Sequence, residues 1–86
     1  MKQRIKVSDL ENAIARLNTA KGTAQEPYAR QDGRSVANVG NYHLSQAYGG
    51  CNVLEIVNSS GGCSEPAGSG HVSKRECLTR IYSLAL

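Results

Sequence analysis

The residues best suited to bind or transform a ligand are concentrated in the stretch VGNYHLSQAYGGCN, residues 39–52. It combines a histidine, two tyrosines and paired glycines. A glycine-rich turn that leads from a strand into a helix presents free backbone N–H groups to an anion. The stretch therefore predicts a site for a small anionic or nucleotide-like ligand. The predicted ligand-binding residues are Arg34, Asn41, His43, Tyr48, Gly49, Gly50 and Asn52.

The paired glycines also have a simpler interpretation, in which they only form a tight turn. Glu55 would then occupy the helix start as its capping carboxylate. The stretch lacks the further glycines of a dinucleotide fingerprint and the Gly-Lys-Ser/Thr of a P-loop. At the level of sequence, both interpretations of Gly49 and Gly50 stay open.

Metal binding and catalysis are both disfavoured by the spacing of the candidate groups. His43, Cys51, Cys63 and His71 are spaced H-x7-C and C-x7-H, whereas structural zinc sites use close pairs such as C-x2-C. Cys51 and His43 resemble a nucleophile and its base, but no residue is evidently placed to orient the histidine. We therefore expect three free thiols, no metal, no cofactor and no enzymatic activity.

Length and charge restrict the class of protein. The 86 residues carry a net charge of +3, with basic residues gathered near the two ends. This charge is compatible with weak nucleic-acid binding but is not evidence for it. The start of the chain has no secretory h-region and no run is long enough for a membrane span. We expect a single domain, 1–86, in the cytoplasm, with a basic N-terminal arm at 1–7 and a loop at 61–71.

Three S/N-x-x-E motifs predict the starts of three helices. They begin at Ser8, Asn52 and Ser73, residue types that cap a first turn, with glutamate three positions later. The first helix should end at Gly22, and it has an apolar stripe at helical spacing, formed by Leu10, Ala13, Ile14 and Leu17. The middle helix, about 52–60, contains the β-branched run VLEIV, so that a strand stays an alternative.

A β-hairpin is predicted between the first two helices. Asp32 and Gly33 can supply the positive φ angles of its turn. The second strand should continue, bent at Gly40, into the alternating sequence NYHLSQAY. The predicted fold is therefore α+β: an N-terminal helix, a hairpin with a bent second strand, a short helix and a C-terminal helix.

The C-terminal helix has more apolar surface than one packed face requires. Its predicted inner face comprises Leu78, Ile81, Tyr82 and Ala85. Leu84 and Leu86 lie off that face, and an exposed apolar strip is typical of an interface. We therefore predict that the protein is a homo-oligomer that associates through Leu84 and Leu86.

The segments EPYARQDGRSVANVGNYHLSQAYGG, VNSSGG and GHVSKRE resemble a family of small, uncharacterised proteins of tailed bacteriophages and prophages. The pattern GNYHLS-AYGG followed by GH-KRE covers most of the chain. Cys51 stands where that family usually has an aromatic residue, and the family's last helix tends to run beyond Leu86. The resemblance implies a non-enzymatic accessory protein of the host bacterial cytoplasm. It would bind and divert a host component, such as a defence or regulatory factor.

Overall fold

Two helices pack on one face of a three-stranded antiparallel sheet, and a separate hairpin lies between them in sequence. The computed structural model describes residues 4–86. The elements in chain order are α1 (Val7–Lys21), β1 (Tyr28–Gln31), β2 (Arg34–Ala37), β3 (Tyr42–Ala47), β4 (Gly50–Ile56), β5 (Cys63–Ser64) and α2 (Lys74–Leu84). β1 pairs with β2, and the larger sheet has the order β3-β4-β5. The predicted α+β class is confirmed.

The N-cap of helix α1 lies two residues before the predicted cap, Ser8. Its N-cap is Lys6, whose backbone N–H donates to the Asp9 carboxylate at 2.8 Å. Ser8 therefore lies inside the first turn, because Asp9, in place of Glu11, reaches back to the helix start at Lys6. The predicted end is confirmed: Gly22 adopts a left-handed φ of 71°. Of the predicted basic arm, residues 1–3 lie outside the described range.

The predicted middle helix is wrong, and the strand alternative is confirmed. Residues Gly50–Ile56 form β4, which pairs with β3 in a register that sets Glu55 opposite Tyr42. Glu55 is thus part of the ladder and caps nothing. The β-branched side chains of this segment suit a pleated, buried strand, and pairing on both sides outweighs the local capping signal.

The β1–β2 hairpin forms as predicted, with Asp32 and Gly33 at φ 50° and 77°. The predicted bent strand is in fact two strands in different sheets, β2 and β3. Gly40, at φ 95°, separates them and donates its N–H to the Ile56 carbonyl at 2.8 Å. The chain therefore leaves the hairpin and enters the larger sheet at this glycine.

The core lies between the sheet and the two helices. Its buried members are Leu10, Ala13, Ile14, Leu17, Cys51, Val53, Cys77 and Ile81. Ser73 caps α2 as predicted, since its hydroxyl accepts the Glu76 N–H at 3.2 Å. Within residues 4–86, neither helix is long and apolar enough to cross a bilayer.

The inner face of α2 differs from the prediction. Leu78 and Leu84 pack against the core, whereas Tyr82 is 55% exposed and Ala85 is also exposed. The stripe that packs follows Cys77 and Ile81, which are buried. The face is therefore rotated towards the side that carries Leu84.

The predicted loop 61–71 contains the short strand β5 and is otherwise held by a polar network. The Arg80 guanidinium donates to the Asn52 side-chain oxygen at 2.9 Å and to carbonyls of Gly68, Ser69 and Gly70 at 3.0–3.3 Å. Asn52 is fully buried and donates its amide to Glu65 at 2.8 Å. These hydrogen bonds hold the loop against β4 and α2. Asn52 is buried because its side chain links the loop to α2.

Candidate functional site

The residues predicted to bind an anion do not form one site. Tyr48 and Gly49 are the turn between β3 and β4, both with positive φ, while Asn52 lies inside β4. Arg34 belongs to the separate two-stranded sheet, next to the hairpin tip. Because no helix starts at Asn52, the row of free helical N–H groups that motivated the anion site is not formed there. Apart from the consecutive residues Tyr48, Gly49 and Gly50, the members of the predicted set that share a hydrogen bond are Asn41 and His43.

Gly50 has a structural reason to be glycine. A Cβ atom at this position would lie 3.0 Å from the Val72 carbonyl oxygen and 3.1 Å from the His71 backbone. The chain segment after the loop approaches this closely because Val72 bridges to Cys51 in an antiparallel pairing. The second glycine of the pair therefore allows two backbones to meet.

The strongest candidate for a binding site is the outer edge of β3. β3 ends the order β3-β4-β5, so that one of its sides has no strand partner. At Tyr42 that side is covered by Asn18 of α1. The Asn18 amide donates to the Tyr42 carbonyl at 3.0 Å, and its oxygen accepts the Tyr42 N–H at 2.9 Å. The side chain takes the place of a neighbouring strand at one residue.

Beyond Tyr42 the edge is open. The Asn41 carbonyl accepts the Ile56 N–H, so Asn41 faces β4. In an antiparallel strand the backbone groups alternate between the two sides, which turns those of Leu44 and Gln46 outward. Within residues 4–86, neither residue has a hydrogen-bond partner on this side. Two residues therefore offer two donors and two acceptors to a further strand.

A groove of about 380 Å³ lies between β3 and α1 and reaches this edge at Leu44. Its strand wall comprises three consecutive residues, 42–44. Since successive strand side chains point to opposite faces, a groove lined by three in a row follows the edge of the strand. Its helix wall is one stripe of α1, formed by Glu11, Ile14, Ala15 and Asn18.

The groove is acidic in a protein that is basic overall. Glu11 and Glu26 line it, and no lysine or arginine among residues 4–86 does. Gln25 and Ile14 supply amide and apolar surface. The chain as a whole carries +3. Burial lowers the pKa of His43 below its usual value, which keeps this wall residue neutral near pH 7. The charge of the groove is therefore negative.

Sequence reasoning missed the helix wall of this groove. One signal for it exists: Asn18 follows Leu10 and Ile14 at four-residue intervals, so it lies on the apolar stripe of α1. A polar residue on a buried stripe requires a hydrogen-bond partner. The partner, Tyr42, is distant in sequence and was not predictable from that pattern.

The remaining predicted residues are placed as follows. Leu84 packs against the core, while Leu86 is fully exposed, so the two do not form one exposed strip. Homo-oligomerisation stays a prediction. All three thiols are free, those of Cys51 and Cys77 buried and that of Cys63 exposed. Among residues 4–86, no group of three or more His, Cys, Asp and Glu side chains is arranged to hold a metal ion.

Comparisons of the chain with models of protein families, with curated proteins and with solved structures found no match.

Proposed function

We propose that the protein is a non-enzymatic binding protein that takes up an extended, basic segment of a partner protein as an additional strand on β3. The observation that carries this proposal is the open edge at Leu44 and Gln46, flanked by the groove along α1. Strand addition obtains its affinity from main-chain hydrogen bonds and its specificity from pockets for alternate side chains. The open edge at Leu44 and Gln46 supplies the main-chain groups, and the groove beside Leu44 supplies a pocket for side chains.

The length of the open edge sets the length of the bound segment. Two outward-facing residues on β3 match a partner segment of about four or five residues, at about 3.4 Å per residue. Asn18 blocks further pairing at Tyr42. The added strand therefore begins beyond Tyr42 and extends towards the Tyr48 turn.

The charge of the groove selects the class of segment. Glu11 and Glu26 would oppose an acidic segment and attract lysine or arginine at the alternate positions that face α1. Ile14 and Leu44 supply apolar contact between them. A partner segment with alternating basic and apolar residues meets these conditions best.

The resemblance to proteins of tailed phages supports a partner from the host bacterium. In that context the protein would occupy a segment of a host defence or regulatory factor in the bacterial cytoplasm and divert it. The anionic-ligand alternative has lost its geometric basis at the Gly49–Gly50 turn, because no helix starts there.

A peptide array tests the proposal directly. Short peptides with alternating Lys and Val should bind, and those with Glu in place of Lys should not. Gln46→Pro removes one outward N–H and should abolish binding, while the matched Gln46→Val keeps the donor and should bind. Pro is tolerated on an edge strand when its missing N–H faces outward. Equal binding by the two variants, or no peptide bound by wild type, would contradict strand addition.

The charge argument has its own test. Replacing Glu11 and Glu26 together by Gln should weaken the Lys-containing peptides and flatten the salt dependence of their binding. Glu76→Gln, at the start of α2 and outside the groove, is the matched control. If both sets of variants bind alike, the acidic groove does not select the segment.

A further inference from the structure

The face of the sheet that points away from the helices carries a cysteine, a histidine and an asparagine. The histidine lies between the other two and is close to both. Tyr42 and Leu44 pack against the core, so their neighbours Asn41 and His43 point to the other face. There the His43 Nε2 lies 4.0 Å from the Cys63 sulfur, and its Nδ1 lies 3.3 Å from the Asn41 side-chain oxygen. Cys63 belongs to β5, at the far edge of the same sheet.

The hydrogen bonds of Asn41 determine where the proton of His43 lies. The Asn41 amide nitrogen contacts the Ala24 carbonyl at 2.6 Å. A carbonyl only accepts, so the NH₂ group must face Ala24 and the oxygen must face His43. The imidazole Nδ1 therefore carries the hydrogen and donates to Asn41. This leaves the Nε2 lone pair directed to the side of Cys63, as a base requires.

We propose that Cys63 is a nucleophilic thiol that undergoes exchange with disulfides, with His43 as its base and Asn41 as the residue that positions His43. The Cys63 sulfur attacks one sulfur of a disulfide R–S–S–R while its proton passes to His43 Nε2. A new bond forms between Cys63 and SR, the original S–S bond breaks, and the second RS group leaves with the electron pair. That thiolate then takes the proton from His43. The products are the mixed disulfide and one free thiol.

The environment of each group fits its role. Cys63 is exposed, and its S–H donates to the Gly61 carbonyl at 3.4 Å in the resting arrangement. Rotation about the Cβ–Sγ bond turns that hydrogen towards His43 without moving the sulfur. A separation of 4.0 Å is longer than in a reacting complex, as is common before a reaction partner binds. Burial lowers the pKa of His43, so the imidazole stays neutral and able to accept a proton.

The charged and titratable groups around His43 are few. Glu11 and Glu26 line the adjacent groove. On the same face of the sheet, the His71 Nε2 lies 3.0 Å from the Ser45 hydroxyl. His71 is thus engaged with another partner and provides a matched control for His43.

The other two thiols serve as internal controls. Cys51 is 3% exposed and Cys77 is not exposed at all. Burial raises the pKa of the Cys77 thiol to about 11, with Cys51 adding to the shift. A buried thiol with a raised pKa reacts slowly, since the thiolate is the nucleophile. Of the three cysteines, only Cys63 should react in the folded state.

The experiment follows the reaction of the folded protein with dithiodipyridine, a disulfide that releases a coloured thione, as a function of pH. Wild type should show one fast thiol, whose rate stays nearly level down to about pH 6.5 because the base is available. A thiol without a base slows about tenfold per pH unit below its pKa of about 8.5. His43→Gln should show that ordinary slope and react at least about tenfold more slowly at pH 6.5. His71→Gln should behave as wild type.

Two further measurements keep the proposal testable if a variant is poorly folded. Cys63→Ser should remove the fast phase and leave two slow thiols. Oxidised glutathione, followed by mass analysis of peptides, should place one glutathione on Cys63 of wild type. Three thiols of equal rate would overturn the proposal. So would a wild-type pH profile with the slope of an unassisted thiol, or identical profiles for wild type and His43→Gln.

Discussion

Replacing Asn18 by alanine should be among the most destabilising changes in α1. Asn18 is 1% exposed. Its side-chain amide forms one hydrogen bond with the backbone carbonyl of Tyr42 and one with the backbone N–H of Tyr42. Its oxygen also accepts the Thr23 hydroxyl at 2.8 Å. Asn18→Ala removes all three partners at once and leaves the N–H and C=O of Tyr42 without replacement.

The size of the effect follows from these contacts. A buried polar group left without a partner costs about 1–3 kcal/mol, so two such groups cost about 2–6 kcal/mol. The higher helix propensity of alanine offsets about 0.5 kcal/mol of this loss in the free energy of unfolding. The free energy of unfolding should therefore fall by about 2–5 kcal/mol, which lowers the melting temperature by about 10 °C or more in a domain of this size.

The assay is urea denaturation followed by circular dichroism, with Asn12→Ala as the matched control. Asn12 is the same residue type in the same helix and is exposed, so its replacement should be neutral or slightly stabilising. Asn18→Asp should also be strongly destabilising, because it keeps the acceptor for the Tyr42 N–H but sets a buried carboxylate oxygen against the Tyr42 carbonyl. If Asn18→Ala and Asn12→Ala differ by less than about 1 kcal/mol, water replaces the amide and the reasoning fails.

Three further predictions concern the loop, the C-terminal helix and pH. Arg80→Lys should speed proteolysis of the loop at 65–70, because one ammonium cannot replace the four hydrogen bonds of the guanidinium. The control Arg75→Lys, at an exposed position of the same helix, should leave the rate of proteolysis unchanged. Leu84→Glu should lower the melting temperature more than Leu86→Glu, since only Leu84 packs on the core. Sedimentation of wild type and of Leu86→Glu tests self-association. A wild type that is monomeric at high micromolar concentration would contradict it. Burial lowers the pKa of His43, so the unfolded chain protonates first and stability should fall as pH drops below about 6.5. Melting temperatures across that window should depend less on pH in His43→Gln, and an unchanged slope would contradict this origin.

The local signals in the sequence predicted those elements whose ends are decided locally. Gly22 ends α1 because its left-handed φ suits glycine, and Asp32–Gly33 closes a hairpin for a related reason. Ser73 caps α2 through contacts within one turn. These features depend on neighbours in sequence, and a pattern of residue types is sufficient to find them.

The sequence did not decide between helix and strand for the middle segment, and the groove was missed, because both depend on distant partners. Asn52 resembles a helix cap, but its buried amide is used by Glu65 and Arg80. The Asn41 amide is oriented by Ala24, and this in turn makes His43 a base for Cys63. Such arrangements exist only once the sheet has formed, and the spacing of the residues does not reveal them.

The placement of α1 and α2 has a consequence for how the chain reaches its native state. The two helices share one core, although residues 22–73 separate them in sequence. Their contact closes a long loop, whose entropic cost must be met before burial compensates for it. Folding should therefore be slower than in a bundle of sequential helices. A fragment that lacks residues 74–84 would leave Leu10, Ile14 and Leu17 without their cover from Cys77 and Ile81. The apolar stripe of α1 would then be free to associate with other chains, and such a fragment should aggregate where the longer chain folds.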